Sequence, residues 1–178
     1  MKRTGTVLAV FALLAFADPV AAQRQRASPH ETTTSTIGAA KVEITYGRPF
    51  KKGRDVWNGP VTQAPSKEIW RMGADEATTL KTSAPLTFGS VNVPAGEYTL
   101  FMASNASGAK QLVINRQTGQ WGLKHDPAQD LGRVDLKEEK LTAPVEQLTI
   151  AVEPQGNNGM LRVSWDNRAY STTFTAGK

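Results

Sequence analysis

The residues best equipped for chemistry in this chain lie within residues 44–78. Arg48, Arg54 and Arg71 fall there together with Trp57 and Trp70, and the acidic pair Asp75 and Glu76 follows Gly73-Ala74. A guanidinium offers five N–H donors in a planar fork that suits a carboxylate, a phosphate or sugar hydroxyls. Arg48 precedes Pro49, which fixes its own φ, and Arg71 lies two residues before Gly73, where the backbone can bend. A tryptophan beside such a fork supplies a stacking face, with Trp57, Trp70 and Trp121 as the choices. Arg48, Arg54, Trp70, Arg71, Asp75 and Glu76 are therefore the candidate ligand-binding residues. The partner they suit is an anionic or polar small molecule, or a glycan. The same residues fit a second role. Arg48 or Arg71 paired with Glu76 would tie a long loop to a sheet as a buried ion-pair network, which adds little net stability but fixes one arrangement. In that case the protein is a structural or interaction component of the cell envelope. Burial separates pocket from brace.

Other chemistries find less support. Asp75 and Glu76 raise paired-carboxylate hydrolysis, with Glu76 the residue such a hydrolase would use. Neighbouring side chains of an extended strand point to opposite faces, so the two are expected not to flank one bond. There is no cysteine and no Gly-x-Ser-x-Gly elbow, which leaves catalytic residues unassigned. The only histidines are His30 and His125. Neither belongs to a His-x-His or His-x-x-x-His pattern, and no calcium-type acidic loop occurs, so the sequence predicts no metal and no cofactor. His30 beside Glu31 reads as a solvated side chain near a terminus. His125-Asp126 reads as a loop hydrogen bond ahead of Pro127.

The elements that must position these residues follow an export signal. Met1-Lys2-Arg3 is a basic start, residues 6–17 are apolar but too short to span a bilayer, and Val20-Ala21-Ala22 suits signal-peptidase cleavage. The expectation is a signal peptide over 1–22, a flexible lead-in over 23–30 and one domain over 31–176. No cysteine follows the cleavage site, which excludes a lipoprotein anchor. No later stretch is long and apolar enough for a membrane-spanning helix. A periplasmic or secreted location follows, and a bacterial periplasm fits an exported chain with no disulfides. The formal charge is +5, but lysine and arginine are scattered without a helix-spaced stripe, so no nucleic-acid partner is expected. Nothing in the sequence sets an oligomeric state.

Along the domain the hydrophobic period is two. Val42, Ile44 and Tyr46 alternate with polar residues, as do Tyr98, Leu100 and Met102. Leu112 and Ile114, Val134 and Leu136, and then Leu148, Ile150 and Val152 repeat the pattern, followed by Leu161, Val163 and Trp165. Short strands with Gly/Pro turns predict an all-β antiparallel sandwich or jelly roll. Pro94-Ala95-Gly96 reads as a tight turn, Gln155-Gly156-Asn157-Asn158-Gly159 as a hairpin loop, and Asp166-Asn167 as a turn into a terminal hairpin over residues 169–174. Residues 135–141 carry the one helix-like charge pattern. Two long loops, 48–66 and 117–130, are either binding segments or covers for an edge strand.

Several separated motifs occur in a characteristic order. They are Ser28-Pro29-His30-Glu31-Thr32, Ile44-Thr45-Tyr46-Gly47-Arg48-Pro49, Lys52-Gly53-Arg54 and Trp70-Arg71-Met72-Gly73-Ala74-Asp75-Glu76-Ala77-Thr78. Pro94-Ala95-Gly96-Glu97-Tyr98-Thr99-Leu100-Phe101 and Trp121-Gly122 complete them. With these the chain resembles the bacterial domain-of-unknown-function family numbered 2911. The resemblance implies export and a β-rich fold, and it brings no activity. By that resemblance the family pattern usually has asparagine where this chain has Asp75, and usually a Gly-Leu-Val-Pro-Tyr-Gly stretch where it reads Gly59-Pro60-Val61-Thr62-Gln63-Ala64-Pro65.

Overall fold

The computed structural model describes residues 27–58 and 69–177. The expected signal peptide and residues 59–65 lie outside them. Alternation of buried and open side chains produces strands throughout. In chain order they are β1 (His30–Ile37), β2 (Ala40–Gly47), β3 (Ile69–Trp70), β4 (Ala74–Thr82), β5 (Leu86–Phe88) and β6 (Val91–Val93). Then come β7 (Gly96–Ser104), β8 (Lys110–Asn115), β9 (Asp130–Asp135), β10 (Lys137–Gln155) and β11 (Asn158–Ala176). One sheet runs β1-β2-β4-β7-β8-β9 with β3 attached to β7, and the other runs β10-β11-β5-β6. Every named pairing is antiparallel. The chain is an all-β protein, as its period-two pattern predicts. Among the described residues no helix is long and apolar enough to cross a membrane.

The inward faces of the two sheets make the main core. Val42, Ile44, Leu80, Leu100, Leu112 and Ile114 from the first sheet meet Leu148, Ile150, Leu161 and Val163 from the second. Each is buried, and burying such a side chain contributes roughly 1.5–3 kcal/mol. Tyr46 reaches across the interface: its hydroxyl accepts from the Ile150 N–H at 2.8 Å and donates to the Ile150 carbonyl at 3.4 Å. Burial raises the Tyr46 pKa above the ordinary tyrosine value, opposed by its bond to Ile150 and by Arg48. β7 is buried on both faces, because Phe101 and Ala103 pack with Val113 and Ile69 in a second, smaller cluster on the outer side.

Two local expectations are corrected. Asp166 does adopt positive φ (50°), yet β11 runs straight on through it and both halves pair with β10. The partners step from Val145↔Asp166 to Lys140↔Arg168, so extra residues on β10 bulge opposite Asp166. The left-handed residue accommodates that bulge instead of reversing the chain. Residues 135–141 are not helical: they end β9 and begin β10, with Leu136 buried between. Their charges sit on the solvated side of a sheet. The turn at Gly156 (φ 65°) does close a hairpin, between β10 and β11.

Candidate functional site

The site forms where one strand gives way to another. β4 pairs with β7 only from Thr79↔Thr99 to Thr82↔Gly96, and further along β7 its place is taken by β3, with Trp70↔Met102. Residues 71–78 cross that fork. On the other side β2 pairs Thr45↔Thr79 and then Gly47↔Ala74, so β4 bulges between them. Met72 (φ 56°) and Asp75 (φ 65°) take left-handed backbone there, uncommon for residues with a side chain. Positive φ breaks the alternation of an extended strand. Asp75 and Glu76 therefore converge instead of pointing to opposite faces, which overturns the strand-based expectation.

They converge on His30. Its Nε2 lies 3.0 Å from Glu76 Oε2 and 3.8 Å from Asp75 Oδ2. β1 places the imidazole there, because His30 pairs with Gly47 across the β1–β2 ladder. Gly47 is required by close approach: a Cβ would stand 2.3 Å from the Ala74 carbonyl oxygen and 3.1 Å from His30 Nε2.

The turn itself is held by Arg71. Its Nε donates to the Gly73 carbonyl at 3.0 Å and its Nη1 to the Asp75 carbonyl at 3.3 Å. Burial lowers the Arg71 pKa, and the nearby Asp75 charge works in the opposite direction. The second long loop closes over the bulge. Gly122 N–H donates to the Asp75 carbonyl at 3.2 Å, Ala77 N–H to the Gln120 carbonyl at 3.3 Å, and Trp121 bridges to Glu76. A Cβ at Gly122 would come within 2.5 Å of Arg71 Cδ, so glycine allows this contact. The loop therefore supplies the backbone partners that a bulged strand loses. Its histidine serves the loop: His125 Nε2 is 2.9 Å from Asp130 Oδ1, not Asp126, whose carboxylate instead accepts from Ala128 N–H.

Beside this turn lies a cleft of about 530 Å³. Lys52, Arg54 and Arg71 line it with Asp75, Trp70 closes part of it, and Leu123 from the loop stands at its edge. Arg54 is anchored through Nε to the Lys51 carbonyl at 2.9 Å and through Nη2 to the Phe50 carbonyl. Trp70 is 3% exposed and stacks on Trp165, with centroids 5.9 Å apart, so it is chiefly core. Trp57 is buried too and meets Trp70 edge-on at 5.7 Å, its indole N–H on the Trp165 carbonyl. Trp57 does not take the suggested stacking role, because it is buried among Trp70, Trp165 and Tyr170. Trp121 is the exposed tryptophan, at 48%.

Arg48 stands apart from the cleft. Its Nη1 pairs with Glu31, its Nε donates to the Leu148 carbonyl at 3.0 Å, and its Nη2 donates to Thr149 Oγ1 at 3.0 Å. Backbone bonds run alongside, from Lys51 N–H to the Glu146 carbonyl and from Leu148 N–H to the Pro49 carbonyl. Arg48 thus straps the first sheet to β10. The expected Arg48–Glu76 and Arg71–Glu76 pairings are replaced by Arg48–Glu31 and by Arg71 on backbone carbonyls.

Of the residues singled out from the sequence, Arg54, Trp70, Arg71 and Asp75 line one cleft while Arg48 and Glu76 do not; Lys52 and Leu123 line it as well, and His30 meets Asp75 and Glu76 at the adjoining turn. Lys52 stands two residues before Arg54 and was legible as a further cation. His30 joins through strand register alone, which no local motif records.

No curated protein and no solved structure gives a significant match to this chain. The family profile described as a protein of unknown function, DUF2911, matches residues 28–174, which include every cleft and turn residue named above. The chain belongs to the DUF2911 family.

Proposed function

We propose that the protein is an exported, periplasmic or secreted binding module that captures a small anionic or polar molecule, or an acidic glycan, in the cleft between Arg54 and Arg71. The observation that carries this reading is the charge of the walls: Lys52, Arg54 and Arg71 face a cleft of about 530 Å³ with Asp75 as the opposing charge. That volume lies within the range of roughly 300–1,000 Å³ used for small ligands. Arg71 uses its Nε and one Nη1 hydrogen on the backbone, and the outer edge of its fork is left for an incoming oxygen pair. Backbone bonds hold both arginines in place before a ligand arrives, which reduces the ordering cost of binding. Leu123 and the Trp70 edge supply an apolar border.

A thermal-shift screen with anionic metabolites and acidic glycans tests this reading. A ligand should raise the Tm of the wild-type protein, and Arg54→Ala together with Arg71→Ala should remove that rise. A screen with no stabilising anion, or one whose hits act equally on the double variant, would favour the envelope-structural reading. Arg48 supports that second reading independently, since its guanidinium is committed to joining the two sheets.

A further inference from the structure

We propose that His30, Asp75 and Glu76 form a binding site for a divalent transition-metal ion, with zinc the appropriate probe. One nitrogen and two carboxylate oxygens, one from each residue, lie within 4.8 Å of one another. Tetrahedral ligands at zinc distances of about 2.0–2.1 Å stand roughly 3.3 Å apart, between the 3.0 Å and 3.8 Å found from His30 Nε2 to the two carboxylates. Small rotamer changes suffice to close the set. The donor types also discriminate. Calcium and magnesium prefer all-oxygen shells, whereas an imidazole with carboxylates suits zinc and its neighbours. With the imidazole neutral the three groups together carry two negative charges, which a dication balances. Their side chains are 24%, 38% and 45% exposed, so an ion can enter and keep a position open to solvent or ligand.

The site is built rather than incidental. β1 register seats the imidazole over Gly47, the bulge of β4 turns both carboxylates toward it, and Arg71 with Gly122 pins the Asp75 carbonyl. Asp75 also lines the cationic cleft, so a bound ion stands at the edge of that cleft. The ion site does not depend on the anion reading above.

The test is calorimetric titration of the chelator-treated protein with zinc, paired with cobalt(II) absorption, on wild type and on Asp75→Asn, His30→Gln and Glu76→Gln. Asparagine tolerates left-handed backbone, so Asp75→Asn keeps the turn and isolates the lost ligand. One ion per chain should bind the wild type, with Kd at least about tenfold weaker in each variant. Absence of binding, or wild-type affinity retained in the three variants, would overturn the proposal. The anion screen run in the presence of chelator reports separately on the cleft.

Discussion

Arg48 and Arg71 come from the same short block and do opposite things. Arg48 reaches across the sandwich and binds a carboxylate, a carbonyl and a hydroxyl on distant strands. Among the described residues Arg71 bonds to carbonyls two and four residues away, and it lines a cleft. The difference teaches that an arginine's role follows the sequence separation of its acceptors. Distant acceptors make a brace whose loss loosens the sandwich. Local acceptors make a pre-set arm that holds its own turn.

The sharpest break in that comparison is Gly47→Ala. The added methyl collides with the Ala74 carbonyl and the His30 ring, so both the bulge and the β1–β2 ladder must shift. Overpacking against backbone should lower stability by about 3 kcal/mol, measured by urea unfolding. A loss under about 1 kcal/mol would mean that the bulge yields easily. Next comes Arg48→Ala, which removes three charge-assisted bonds and should lower stability by about 2 kcal/mol. Arg48→Lys should recover less than half of it, because an ammonium lacks the fork. Full recovery would reduce the brace to a simple charge pair. The smallest effect separates the two substitutions of Asp75. Asp75→Ala should cost about 1 kcal/mol through its left-handed φ, while Asp75→Asn should stay within about 0.5 kcal/mol of wild type. Equal Tm values for the two would show that the turn is held by Arg71 and Gly122 alone.

Most of the architecture was legible in the chain. Strand pleat has a period of two, and Val42-Ile44-Tyr46 or Leu161-Val163-Trp165 display it without help from context. What escaped were departures from that period. Asp166 and Asp75 both have positive φ, and one straightens past a bulge while the other turns two carboxylates to one side. Residue type permits both outcomes, and only the partner strand decides. The cleft was half legible for the same reason. Arg54, Trp70 and Arg71 are close in sequence, but Leu123 arrives through a loop that docks on β4, just as His30 reaches the adjoining turn through pairing with Gly47. Trp57 looked like a ligand platform because composition shows an aromatic ring without showing that Tyr170 and Trp165 already cover it.

The hydroxyl of Tyr46 bonds to a residue 104 positions later in the chain, and Trp70 in the cleft wall rests on Trp165. Neither contact exists until the final hairpin has docked. Sandwiches dominated by such long-range pairings fold in milliseconds to seconds, slower than locally organised domains. Shortened chains ending before β10 therefore lack the ring on which Trp70 rests as well as the second sheet's share of the core, and the cleft wall is set only when the completed sandwich closes.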